Sequence, residues 1–276
     1  MELFSNQDII LTDNYKHIYI FGDSHCLCFG QNNTTVDNKY IIHVLNKDSA
    51  SAKGLISTNS TLNYGETITQ FINFKTYVKI KNIAYNTIES NNYYIFKFGQ
   101  VDIEYNYYYK LIIKDEKITK NDFFNEVTDM YIQYLLQLNK LNIIVCGVNL
   151  PSPNNIKEYK YNILKLKTKS DFIENLTMEE INKDAIIFNQ LLKQKCDINN
   201  IKYFDLIDEC TYINKNEYYL KPDFIGNDHH YNGCRDLSSL KRFINNDDDY
   251  INHSLYKKTY HTFIGKLINV IETNMI

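Results

Sequence analysis

Long apolar runs, proline and a surplus of charge of either sign are all scarce in this sequence of 276 residues. No stretch approaches the roughly 18 uninterrupted apolar residues that a membrane-spanning helix needs. The first residues lack the basic and apolar regions of a secretory signal, so we expect a soluble protein that stays in the cytoplasm. With three prolines and no proline-rich linker, we expect residues 1–276 to form a single domain.

A basic surface is also missing, and this limits the kinds of partner. The chain has 30 basic and 33 acidic residues, for a net charge of −3, and only Arg235 and Arg242 are arginines. Because proteins that bind nucleic acid need an excess of basic charge, we expect no nucleic-acid partner. The 44% apolar and 23% charged residues are typical of a globular domain rather than of a disordered chain.

Cysteine is too sparse for a disulfide scaffold. The six cysteines are Cys26, Cys28, Cys146, Cys196, Cys210 and Cys234, and without a secretory signal they are expected to be free thiols. His25 beside Cys26 and Cys28 could be imagined as a metal site, but no second Cys-x-x-Cys or His-x3-His pair supports it. We therefore expect no metal and no cofactor.

The apolar residues are arranged in two alternating patterns. Runs rich in β-branched and aromatic residues predict buried strands at 17–22, 93–99, 142–148 and 201–206. Helical spacing of apolar residues predicts core-facing helices at 121–140 and 178–196, and the second opens with the capping box Thr177-x-x-Glu180. This order predicts a three-layer α/β fold of the flavodoxin-like kind, with a mainly parallel sheet and helices on both faces. Irregular segments at 31–63, 151–170 and 214–249 are interpreted as long surface or active-site loops.

The strongest local signal is an abrupt strand exit at Gly22-Asp23-Ser24-His25. Glycine permits a sharp turn out of the strand, which would leave the Ser24 hydroxyl at the carboxyl edge of the sheet, where a nucleophile could stand. In the alternative interpretation, Asp23 and Ser24 only cap a helix.

A second polar cluster, Asn227-Asp228-His229-His230-Tyr231-Asn232, lies near the far end of the chain. A serine nucleophile needs an imidazole to take its proton and a carboxylate to orient that imidazole, and Asp228 with either histidine could supply both. The alternatives are an exposed polar loop or a pair of metal ligands.

Two further segments could complete a catalytic site. Gly99-Gln100-Val101-Asp102 follows a predicted strand, and Ser51-Ala52-Lys53-Gly54-Leu55 contains a glycine N–H that could face an oxyanion. Each segment taken alone is only a turn. Together with Ser24 and His230 they have the chain order of a hydrolase whose site gathers at one edge of a parallel sheet.

In this order the four segments resemble the sequence blocks of the SGNH or GDSL-like hydrolases. The family's first block contains the nucleophile and reads Gly-Asp-Ser, as Gly22-Asp23-Ser24 does, and His25 follows as in many sugar-related members. Gly54 is similar to the backbone-donating glycine of the second block. Gly99-Gln100-Val101-Asp102 resembles the third block, Gly-x-Asn-Asp, and Asn227-Asp228-His229-His230 resembles the last, Asp-x-x-His.

The resemblance implies an SGNH-hydrolase-like fold and a serine esterase, acyl hydrolase or O-acyltransferase that acts on a small-molecule or glycan acyl ester. It implies Ser24 as nucleophile, His230 as base and Asp228 as its orienting carboxylate, with His229 as the other candidate base. The implied oxyanion hole is built from Ser24, Gly54, Gly99 and Gln100, and the implied supporting residues are Asp23, His25, Asp102 and Asn227.

Two departures from the family blocks affect this reading. Val101 stands where the family has an oxyanion asparagine, so a side-chain donor is missing unless Gln100 swings in. Asn227 stands three residues before His230, so Asp228 would have to reach His230 from only two residues away, whereas it is the immediate neighbour of His229. We favour His230 because the sequence that follows it resembles the family block.

A carbohydrate-binding module that has lost catalysis is the alternative function. It would use the tyrosines at 105 and 107–109, although this run can equally be a buried helix or strand face. The residues leave open the acyl group, its acceptor and the oligomeric state.

Overall fold

The structure, a computed structural model, describes residues 15–30, 34–56, 64–72, 92–138, 141–152, 176–226, 230–231 and 250–273. A six-stranded sheet lies at its centre. The strands are β1 (Lys16–Gly22), β2 (Thr34–Val36), β3 (Tyr40–Asn46), β4 (Tyr93–Lys97), β5 (Asn142–Cys146) and β6 (Lys202–Phe204). Their order is β2-β3-β1-β4-β5-β6, with β2 antiparallel to β3 and the other pairs parallel.

Helices cover both faces of this sheet. They are α1 (Tyr64–Ile72), α2 (Lys120–Gln137), α3 (Met178–Ile198), the single turn α4 (Ile207–Cys210) and α5 (Tyr250–Glu272). Apolar side chains of α1, α2 and α3 share one buried cluster with one face of the sheet, and those of α5 share a second cluster with the other face. The predicted three-layer α/β fold is therefore confirmed. Among the residues described, no helix is both long enough and apolar enough to cross a membrane.

The contacts of β1 and α3 explain the sequence patterns that predicted these two elements. In β1, Tyr19 and Phe21 enter the first cluster while Ile18 and Ile20 enter the second, so the strand is buried on both faces and reads as an unbroken apolar run. The capping box of α3 is present, with the Thr177 and Glu180 side chains each accepting the other's backbone N–H.

The expected loop at 31–63 is wrong, because it contains β2, β3 and a short 3-10 helix, Lys53–Ile56. The expected loop at 214–249 is wrong in its first part, where β7 (Thr211–Asn214) and β8 (Glu217–Leu220) form a hairpin. Of the expected loop at 151–170, only the first two residues lie within the described part of the chain.

The site is positioned by the strand order. The chain leaves β1 for β3 on one side and later reaches β4 on the other, so the carboxyl end of β1 lies where the direction of winding reverses. In open α/β sheets this crevice is the usual place for a ligand site.

Candidate active site

The turn out of β1 holds Ser24 at the carboxyl edge of the sheet. A Cβ on Gly22 would lie 2.6 Å from the Lys97 carbonyl oxygen, so only glycine fits at the strand end. Asp23 then caps a 3-10 helix, Ser24–Phe29, by accepting the His25 N–H. The capping interpretation is thus correct for Asp23, and the cap fixes Ser24 as the first residue of the turn.

Ser24 meets one of the two candidate histidines. Its Oγ lies 2.6 Å from His230 Nε2, a hydrogen bond between residues 206 positions apart. The expected proximity of Ser24 to one of these histidines is confirmed. Asn227, Asp228 and His229 lie outside the described residues, so their expected parts in the site stay predictions.

Contacts of the neighbouring residues hold His230 in place. Ile225 and Tyr231 pair as an antiparallel bridge, and the Tyr231 ring is buried against Phe224 and Phe263. The buried Ser152 hydroxyl accepts the N–H of Gly226 at 2.9 Å. The described residues before and after His230 in sequence are therefore both anchored to the rest of the fold.

Buried charge surrounds the Ser24 turn. Lys97, 2% exposed, donates from Nζ to the Gly147 carbonyl at 2.7 Å and to Asn149 Oδ1 at 3.0 Å. Burial disfavours the charged form of Asp23, but its electrostatic interaction with His25, the hydrogen bonds from the ring and backbone of that residue, and the Lys97 ammonium together hold the pKa of Asp23 below its ordinary value. Asp23 is therefore a buried anion at neutral pH.

The expected oxyanion donors are only partly available. As the first residue of its 3-10 helix, Ser24 has an N–H that no intrahelical carbonyl can accept. The Gly54 N–H donates to both the carbonyl and the hydroxyl of Ser51, at 3.1 Å each. Gln100 donates from Nε2 to Glu104 Oε1 at 2.5 Å and to the Asn149 carbonyl at 3.1 Å. Both amide hydrogens of Gln100 are thus used within the fold, contrary to the idea that this side chain swings into the site.

Gly99 makes the turn that Gln100 follows. Its φ is +114°, and a Cβ there would lie 2.5 Å from the Phe188 ring. Glycine is therefore required at this strand exit by both its backbone angle and its close packing.

Asp102 connects the third segment to the Gly54 turn. Its buried carboxylate accepts the Ala52 N–H at 2.6 Å and the Asn106 side-chain N–H at 3.0 Å. Burial raises the pKa of Asp102 to about 6, against the opposing effect of these hydrogen bonds. Asp102 thereby fixes the turn that the sequence placed at the oxyanion hole.

The tyrosine run does not form the surface platform that the alternative carbohydrate-binding module would use. Tyr107 is 5% exposed and Tyr108 is fully buried, so the core interpretation is correct for both. Tyr105 and Tyr109 are half-buried and stack on each other with ring centroids 5.5 Å apart.

The expectation of six free thiols is wrong for Cys28, which is in a disulfide whose partner lies outside the described residues. Cys26, Cys146, Cys196 and Cys210 are free and buried. The fold brings together cysteines that no sequence spacing relates, so the argument from a missing secretory signal to free thiols fails for Cys28. Within the described residues there is no cluster of three or more His, Cys, Asp and Glu that could hold a metal ion.

Sequence reasoning missed three residues of the site: Lys97, Ser152 and Gly226. The one charge in the apolar run 93–98 was a usable signal for Lys97. Nothing local marks Ser152 or Gly226, because their contact joins two distant segments of the chain.

The architecture is similar to that of solved GDSL-type hydrolases. A GDSL-like lipase from Bacteroides thetaiotaomicron is 13% identical over 83% of this chain and 87% of its own, with a TM-score of 0.44. A member of the lipolytic G-D-S-L family from Veillonella parvula is 11% identical over 91% of this chain and 97% of its own, with a TM-score of 0.44. A catalytic mutant of an acetylxylan esterase from Geobacillus stearothermophilus is 12% identical over 69% of this chain and 75% of its own, with a TM-score of 0.38. No family model and no curated protein matches the sequence. The function therefore has to be derived from the site.

Proposed function

We propose that this chain is a serine esterase or acyl hydrolase in which Ser24 is the nucleophile and His230 the general base. The observation that carries the proposal is the 2.6 Å contact between Ser24 Oγ and His230 Nε2. A serine hydroxyl is a weak nucleophile by itself, and an imidazole within hydrogen-bond reach is what activates it.

The acylation half of the reaction needs only groups of this chain and an acyl ester. As Ser24 Oγ bonds to the acyl carbon, its proton passes to His230 Nε2 and the carbonyl electrons move to the carbonyl oxygen. The Ser24 N–H donates to that oxyanion. The Gly54 N–H becomes a second donor to the oxyanion by giving up its hydrogen bond to Ser51. The alcohol then leaves with the proton from His230. Water, or a second hydroxyl in a transferase, attacks the acyl-enzyme by the reverse sequence.

Asp228 is the proposed carboxylate that orients His230. The proposed substrate is an O-acylated sugar or glycan, which rests on the resemblance of Gly-Asp-Ser-His to sugar-related hydrolases. A different substrate class would therefore leave the proposed serine mechanism unaffected.

Labelling with a fluorophosphonate tests the serine mechanism. We expect the native protein to be labelled at Ser24 in a 1:1 ratio, and Ser24→Ala and His230→Ala to lose labelling. Thr35→Ala removes an exposed hydroxyl from the edge strand β2 and His261→Ala removes an exposed imidazole from α5, so both should label like the wild type. An unlabelled wild type, or a labelled Ser24→Ala variant, contradicts the proposal.

A carbohydrate-binding module is the second candidate. It is favoured by the engagement of the Gly54 and Gln100 donors within the fold, which leaves the oxyanion hole incomplete. Binding of an acetylated oligosaccharide in calorimetry, without labelling of Ser24, would support the module over the esterase.

A further inference from the structure

His230 has a second neighbour besides Ser24. The His25 ring stacks on the His230 ring with centroids 4.4 Å apart and planes inclined by 24°. Both side chains are buried, each 2% exposed. Ser24 therefore meets the nitrogen edge of His230 while His25 covers a face of it.

The His25 ring is itself held in place. Asp23 Oδ1 accepts hydrogen bonds from both the backbone N–H and the ring Nδ1–H of His25, each at 2.9 Å. Two bonds to one carboxylate oxygen fix the ring plane, and a carboxylate partner at Nδ1 places the proton of a neutral imidazole on that nitrogen. His25, the residue after the nucleophile, is thus held in one orientation by Asp23.

The charges around His25 suit a neutral ring. Burial lowers the pKa of His25; Asp23 opposes this effect, while His230 and Lys97 add to it. At neutral pH the ring is then an uncharged aromatic surface polarised by the Asp23 anion. A cation gains free energy when it lies over such a surface, and more so in a desolvated site.

We propose that His25, anchored by Asp23, is a positioning residue for the base: it fixes the plane of the His230 ring and stabilises the imidazolium that forms when His230 takes the Ser24 proton. The inference rests on the proposed function. His25 gains and loses no proton in the reaction, so its contribution is electrostatic and geometric.

Two variants separate the ring from its anchor. His25→Asn keeps a donor for Asp23 but removes the stacked ring, whereas His25→Phe keeps a flat ring and removes the donor. For a small acyl ester we expect His25→Asn to lower kcat about 10-fold at unchanged KM and to move the acid limb of the kcat/KM profile to lower pH. His25→Phe should lower kcat less than His25→Asn does, because it keeps a flat ring against His230. His261→Asn, on the exposed face of α5, is the matched control and should leave all of these values unchanged.

The wild type also provides a test that does not depend on any variant folding. Ring protons of His25 and His230 should show a nuclear Overhauser effect, and its absence overturns the stacking. A kcat for His25→Asn within twofold of wild type, or a kcat for His25→Phe as low as that of His25→Asn, overturns the positioning role. If the Overhauser effect is present but Ser24 is never labelled, the proposed function fails and the stacking is a feature of the fold alone.

Discussion

The site is built on ionisable groups that the protein keeps away from water. Asp23, His25, Lys97 and Asp102 are each 2% exposed or less. The sequence motif predicted that Asp23, His25 and Asp102 would belong to the site. Their protonation states could not be predicted, because these depend on burial and on partners that only the fold brings together.

Asp102→Asn should change how stability depends on pH. The folded pKa of about 6 exceeds the unfolded value near 4, so the native state binds the proton more tightly. The contribution of Asp102 to wild-type stability therefore falls as pH rises from about 4 to about 6, by up to ~3 kcal/mol. The asparagine oxygen can still accept the Ala52 N–H, and its amide carries no charge.

Urea unfolding between pH 4 and pH 7 measures this difference. Relative to the wild type, Asp102→Asn should gain stability as pH rises and then level off above the folded pKa of Asp102. Asp197→Asn, at an exposed ion pair on α3, is the control. A stability difference that is flat with pH would show that Asp102 is not perturbed by burial.

At the scale of secondary-structure elements, the sequence predicted those with strong periodicity and missed those made by turns. The capping box located the start of α3, and unbroken apolar runs located β1, β4 and β5. The β7–β8 hairpin was missed although its turn residues Lys215 and Asn216 both have positive φ, as type I′ turns require. Neither is glycine, so the usual turn signal was absent.

The position of His230 depends on a glycine that packs against its backbone. A Cβ on Gly226 would lie 2.1 Å from the His230 carbonyl oxygen, and backbone cannot yield as a flexible side chain can. Gly226→Ala should therefore displace His230 from Ser24 and lower kcat/KM about 100-fold, as a displacement of about 1 Å does in other sites.

The matched control is Gly265→Ala. Gly265 lies on the exposed face of α5 with open space around it, so alanine there should keep activity and raise stability by roughly 0.5–1 kcal/mol. Wild-type activity in Gly226→Ala would show that the close approach of Gly226 does not position the histidine.

At the scale of the whole molecule, strand order explains how residues at opposite ends of the chain form one site. Alternation of strands and helices predicted the parallel sheet, and the position of Ser24 after β1 then followed from the reversal of winding. The disulfide of Cys28 could not be predicted, since it depends on which distant segments the sheet brings together.

Thiol titration tests this connection. Denatured but unreduced protein should show four reactive thiols, those of Cys26, Cys146, Cys196 and Cys210, and reduction should raise the count to all six. Native protein should react slowly, because burial raises the pKa of Cys146 to about 11 and of Cys210 to about 12. Six reactive thiols before reduction would contradict the disulfide.

The central claim, that Ser24 and His230 act as one unit, is tested most directly by a double-mutant cycle on the hydrolysis of a small acyl ester. Ser24→Ala, His230→Ala and the double variant should each lose about 10⁴-fold or more of kcat/KM, with the double variant no worse than either single one. His229→Ala should lose far less, and Asp228→Asn should fall in between. Losses that multiply in the double variant, or an active His230→Ala, would contradict the claim.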